Sequence, residues 1–172
     1  MSDPPASKGK TSVVYPARND LPAATRSSLI DLLDARLAEA TDLQTQMKQA
    51  HWNVKGPSFI ALHELFDKVN EDVEDYVDLI AERVVQLGGI AHGTARQVSG
   101  RTTLSEYPPA RDGRQHAEAV SNALAAFGKL ARAAIDESDR LGDKDTADIF
   151  TEISRGVDKW LWFVEAHLQA ER

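Results

Sequence analysis

Proline placement constrains this chain more than any other feature. The seven prolines stand at 4, 5, 16, 22, 57, 108 and 109. Proline removes a backbone donor and clashes with the preceding turn, so helix interiors exclude it. Two long stretches are therefore left without a helix breaker. Residues 1–19, polar and proline-bearing, read as a flexible tail, and residues 20–172 as one domain. A chain of this length buries roughly 70% of its extended surface, enough for one core without staples.

Apolar residues recur at helical spacing. Leu29, Leu33, Leu37, Ala40, Leu43, Met47 and Ala50 step by three or four, the period of one buried helical face. They predict a first helix capped by Asp20, with Leu21 and Pro22 in its first turn, ending near Asn53. Residues 55–58 then break the chain. A second helix is expected from about Ser58 to Leu87, with a core row from Leu62 through Val73 to Leu87, stopping at Gly88-Gly89. A third covers 114–141, with Val120, Leu124, Phe127, Ala131 and Ile135 inward. Asp145 is expected to cap a fourth, which runs to about Ala170 on Ile149, Ile153, Val157, Trp160 and Val164.

The link from Gly88 to Gly113 is too long for a hairpin between neighbouring helices. A helix of about 30 residues spans some 45 Å, and this link can run back along much of it. A short helical turn is expected within it, around Thr94–Ser99. The predicted fold is all-α: a four-helix bundle with one long crossover between helices two and three, the ferritin-like arrangement.

Composition narrows the function. With no cysteine, disulfides, zinc ribbons and thiol nucleophiles are excluded together. The first twenty residues contain no apolar stretch, and no run of about 20 apolar residues follows, so neither a signal peptide nor a membrane span is expected. A cytoplasmic location follows as the expectation. Twenty-seven acidic against 20 basic residues leave a formal net charge of -7. That balance favours cations over nucleic acid as partners.

The chemistry concentrates in residues 51–89, "HWNVKGPSFIALHELFDKVNEDVEDYVDLIAERVVQLGG". His63 and Asp67 are four apart on the second helix, as are Asp78 and Glu82, and His51 ends the helix before. Each i, i+4 pair alone is most simply a solvated face. Together, two imidazoles and three carboxylates suit Fe(II), with no thiolate to favour zinc or copper. Fifteen residues separate His63 from Asp78, and fifteen separate Asp67 from Glu82. That is about 60° of rotation but roughly 22 Å of rise, too far to share one metal within a chain. If the second helix packs antiparallel on its own copy, with the two-fold axis near Asp72 and Val73, each pair meets the partner's other pair. Two equivalent sites then form together. No Glu is followed three residues later by His, so the di-iron motif of a single bundle core is absent.

These residues, with "DTADIFTEISRGVDKWLWFVEAH" at 145–167, resemble the Dps family of mini-ferritins over roughly residues 13–168. His51, His63, Asp67, Asp78 and Glu82 each match a ferroxidase ligand position of that family. The resemblance implies a hollow homododecamer built from antiparallel dimers. It implies oxidation of Fe(II), preferably by hydrogen peroxide, at a di-iron site shared between two chains, with ferric mineral stored inside. Zn and Mn are possible competitors for such ligands. The family also places a tryptophan beside the iron site, which here is Trp52, an indole able to intercept radicals.

Other candidates have plainer readings beside the sharper ones. Trp160 and Trp162 read as core or interface packing, with electron acceptance as the alternative. Glu71, Glu74 and Asp75 form an acidic stripe, either a solvated face or a cation track toward a cavity. Asp143, Asp145 and Asp148 are suited to capping; the resemblance implies an iron-entry pore there, a role falling mainly on Asp148. His92, His116 and His167 lack a partner at ligand spacing and read as structural or surface residues. The tail's basic residues are only Lys8, Lys10 and Arg18, a departure from the lysine-rich tails of DNA-binding relatives. DNA binding is expected to be weak or absent. The alternative function is a nucleoid-associated DNA-binding protein with secondary metal sites.

Overall fold

The computed structural model describes residues 13–169. Its helices are α1 (Ala23–Asn53), α2 (Phe59–Gln86), α3 (Ala95–Ser99), α4 (Gly113–Arg140) and α5 (Lys144–Glu165). The four long helices form the bundle: α1 packs chiefly on α2, α4 on α5, and α1 also on α4. The short α3 rides on α1 within the crossover. The expected architecture is therefore the observed one. The predicted rows line the core, with Leu33, Phe66, Phe127 and Phe150 fully enclosed. Ile135 and Ile149 are only half-buried against it.

Two caps differ from expectation. Asp20 does not cap α1: Pro22 holds the cap position, and Asn19 accepts the Leu21 N–H at 2.9 Å. Asp143, not Asp145, caps α5, accepting the Thr146 N–H. Gly142, at φ +81°, turns the chain so that the helix starts two residues earlier than predicted. Asp145 lies in the first turn, where a carboxylate complements the helix dipole. The helix also closes at Glu165, short of Ala170.

The ordered fold starts before residue 20. The N–H groups of Val14 and Tyr15 both donate to the Gly88 carbonyl, at 2.9 and 3.0 Å. Gly88 adopts φ +88°, and any Cβ there would come within 2.5 Å of the Tyr15 carbonyl. Glycine ends α2 and admits the incoming strand of chain at the same point. Lys8 and Lys10 of the predicted tail lie outside the described residues.

The crossover is held by a polar stripe on α1. Buried Asp34 accepts from the His92 Nδ1 at 2.8 Å and pairs with Arg101 at 3.4 Å. The Thr103 hydroxyl donates to buried Glu39 at 2.5 Å, and the Thr102 hydroxyl to Asp42 at 2.7 Å. Gln46 donates to the Ser105 carbonyl at 3.0 Å. One face of α1 thus packs the core and another is covered by the crossover, whose backbone needs those polar partners. Among the described residues no helix is long and apolar enough to cross a membrane.

Candidate metal centre

The reversal between α1 and α2 sets the first half of the site. Gly56, at φ +115°, supplies a backbone conformation that side-chain-bearing residues rarely adopt. The turn brings His51, from the last turn of α1, against His63, from the start of α2. Their rings stack with centroids 3.7 Å apart and an interplanar angle of 22°. Each Nδ1 lies 2.8 Å from the other residue's backbone carbonyl. The His51 carbonyl stands at a helix end, where no intrahelical N–H reaches it, and the His63 ring supplies the missing donor.

This reciprocal bonding decides the tautomer. A ring nitrogen facing a carbonyl oxygen must carry the proton, so both imidazoles hold hydrogen on Nδ1. In the neutral rings Nε2 is then the atom with the lone pair, and both rings are fixed in orientation, as metal-ligating histidines are by their outer partners. Phe59 covers His63 with ring centroids 5.0 Å apart.

Asp67 joins this group from the next turn of α2. Its Oδ1 is 3.8 Å from the His51 Nδ1 and accepts from the Lys48 ammonium at 2.6 Å. The Lys48 hydrogen bond holds the carboxyl below its usual range, against an opposing push from burial. Lys48 escaped the sequence reading, although it sits three residues before His51 and hence on the same helix face.

Asp78 and Glu82 are exposed further along α2, roughly 22 Å from the histidines by helical rise. Among the described residues no three His, Asp or Glu side chains converge where one chain alone would hold a metal. One chain thus carries two separate groups, one rich in imidazole and one of carboxylates. Between them, Asp72 accepts from the Trp160 Nε1 at 2.6 Å and from Lys159 at 3.3 Å. Trp160 is buried, whereas Trp52 is 68% exposed beside His51 and Trp162 is exposed edge-on to Phe163.

The three acidic residues near α5 divide. Asp143 is buried, with its two oxygens taking Arg83 at 2.8 and 2.9 Å and the Thr146 hydroxyl bonded as well. Burial pushes this carboxyl up, but the Thr146 and Arg83 hydrogen bonds outweigh it and hold it below the usual range. Its oxygens are committed to joining α2 to α5. Asp145 and Asp148 are exposed. His116, read as structural, is buried, and its Nδ1 meets the Tyr107 hydroxyl at 2.7 Å. Nothing in the spacing of those two residues announces that contact.

Comparison with known proteins identifies the family and the fold. The profile of the ferritin-like domain, family name Ferritin, matches residues 30–172. A protein of Agrobacterium fabrum named DNA protection during starvation protein is 47% identical over 156 residues, covering 90% of this chain and 96% of its own. The solved structure of DpsA14 from Streptomyces coelicolor superposes with a TM-score of 0.87 at 32% identity, covering 93% of this chain and 94% of that one. An archaeal Dps homologue from Halobacterium salinarum gives a TM-score of 0.87 at 25% identity, covering 98% and 94%.

Proposed function

Since the chain belongs to the Dps family of ferritin-like proteins, we propose that it oxidises Fe(II) and stores the ferric product. The observation that carries the reading is the locked histidine pair, each ring bonded through Nδ1 to the other residue's carbonyl. Two imidazole Nε2 atoms and Asp67 form one half-site, and Asp78 and Glu82 form the other. Antiparallel pairing of α2 with its own copy brings the halves together twice per dimer. Nitrogen and carboxylate donors suit Fe(II), the substrate, and accept Zn and Mn as competitors.

The favoured oxidant is hydrogen peroxide. Two Fe(II) supply two electrons, so 2 Fe(II) + H2O2 + 2 H+ gives 2 Fe(III) + 2 H2O with no free radical. Protection against oxidative damage follows from that pairing of electrons. Such dimers assemble into a hollow homododecamer, with Asp145 and Asp148 at the iron entry and Trp52 as a radical guard. Asp143 contributes by anchoring that helix start. The location that fits this function is cytoplasmic.

Anaerobic Fe(II) titration, followed by separate peroxide and oxygen additions, tests the reading. We expect saturable Fe(II) binding that His63→Ala abolishes, and about two Fe(II) oxidised per peroxide by electron count. Binding undiminished in His63→Ala would remove the site. Faster oxidation by oxygen than by peroxide at equal concentration would remove the peroxide preference.

A further inference from the structure

Half-buried Tyr107 and buried His116 form a pair that the ferroxidase reading leaves unused. Tyr107 lies in the crossover and His116 in the first turns of α4. The phenol oxygen is 2.7 Å from the His116 Nδ1, and the rings lie 6.0 Å apart at 27°. His116 is 1% exposed, and its Nε2 is buried. The Asn53 backbone at the end of α1 adjoins this imidazole.

Protonation follows from the surroundings. Burial pushes the Tyr107 phenol up and the His116 imidazole down, so both are neutral near pH 7. The phenol therefore donates, Nδ1 accepts, and the imidazole proton sits on Nε2. A tyrosine hydrogen-bonded to a neutral imidazole can lose its proton together with an electron. Tyr107 and Trp52 line one groove of about 780 Å³, together with Lys48, Gln49 and Glu74, and Trp52 follows the His51 ligand directly.

We infer that Tyr107 is a one-electron donor to oxidised Trp52, with the His116 Nδ1 as acceptor of the phenolic proton. The inference rests on the ferroxidase reading for its source of oxidant. When peroxide meets a single Fe(II), Fe(II) + H2O2 gives Fe(III), HO⁻ and a hydroxyl radical. The radical takes one electron from Trp52, leaving HO⁻ and the indole radical cation. Tyr107 returns an electron to the indole while its O–H proton passes to His116, leaving a neutral phenoxyl radical and an imidazolium.

The imidazolium forms against burial and the Lys55 charge, with the Asp112 carboxylate at the α4 cap in its favour. A second Fe(II) then donates one electron to the phenoxyl as the proton returns from Nδ1, restoring both residues. The sum is two Fe(II) and one H2O2 giving two Fe(III) and two HO⁻. The pair lends the second electron until a second iron arrives.

The test needs no iron, so it separates this inference from the ferroxidase reading. In the intact apoprotein, azide radical from pulse radiolysis oxidises indole, and transient absorption follows indolyl decay and phenoxyl growth. Wild type should form phenoxyl as indolyl decays, more slowly in D2O than in H2O. Tyr107→Phe and Trp52→Phe should each abolish that phase, whereas Tyr15→Phe and Tyr76→Phe should retain it. His116→Gln should slow it by about a hundredfold, the lower range for losing a positioned proton acceptor. A phase that survives Tyr107→Phe, shows no solvent isotope effect, or keeps its rate in a folded His116→Gln would overturn the inference. Tyr107→Phe removes only a hydroxyl, so the inference stays exposed to refutation even if His116→Gln fails to fold.

Discussion

On the proposed shared site, a chain carrying His63→Ala is damaged in its imidazole half, and one carrying Asp78→Ala in its carboxylate half. The fifteen residues between these positions put the lesions roughly 22 Å apart on α2. In a two-fold dimer of either variant, both shared sites are damaged. In a mixed dimer, one site collects both lesions and the other collects none. Reassembly from equal amounts makes half of the dimers mixed, and half of their sites are intact. The pool should therefore recover about one quarter of wild-type initial rate, and purified mixed dimers about one half.

Peroxide-driven Fe(II) oxidation per chain is the assay, with two affinity tags and mass spectrometry verifying composition. If all ligands came from one chain, every site in the mixture would still carry a lesion. Verified mixed dimers no more active than their inactive parents would therefore refute the shared site.

Other perturbations test the framework around it. Asp143→Ala leaves Arg83 buried without its partner, at a cost of about 3–5 kcal/mol, read by thermal unfolding at fixed protein concentration; an unchanged midpoint would contradict the buried pair. Because the Asp143 carboxyl is held below its usual range, its stabilisation is complete above its unfolded value of about 3.9 and lost as pH falls through the folded value. Wild type should accordingly lose more stability on acidification than Asp143→Asn, measured by denaturant unfolding across that range. Gly156→Ala places a methyl group into the Tyr76 hydroxyl, an overpacking worth about 1–3 kcal/mol in the same unfolding measurement. Duplex DNA should show no gel shift at about 0.15 M salt, where screening reaches only about 8 Å, because the chain is net acidic; a robust shift abolished by deleting residues 1–12 would promote the DNA-binding alternative.

The bundle was legible because its signal is repetitive. Rows such as Leu29 to Ala50 repeat the same requirement at each turn, so no single residue decides the assignment. Caps are decided one residue at a time, and α1 and α5 start on Pro22 and Asp143 rather than on Asp20 and Asp145. Asp143 and Asp145 are equally good caps by type. Arg83, sixty residues away, and the left-handed turn at Gly142 select the first. The same limit hid Tyr107 from His116 and the crossover's bonds to Asp34, Glu39 and Asp42, since those contacts follow from how the crossover lies on the bundle.

In the proposed metal site, spacing carries information for a physical reason. The carboxylate pair and the His63/Asp67 pair are offset by the same fifteen residues, and one chain cannot use that equality, because helical rise holds the pairs apart. A two-fold copy running the opposite way makes it meaningful, since equal offsets let both junctions close at once. Folding of one chain contributes what spacing cannot specify: it bonds each histidine to the other's carbonyl and leaves both Nε2 atoms free. On the proposed reading, the two rings are oriented before any partner or iron arrives, while Asp67 is still held by Lys48. In the proposed pairing the partner brings only carboxylates, both carried on the regular helix α2.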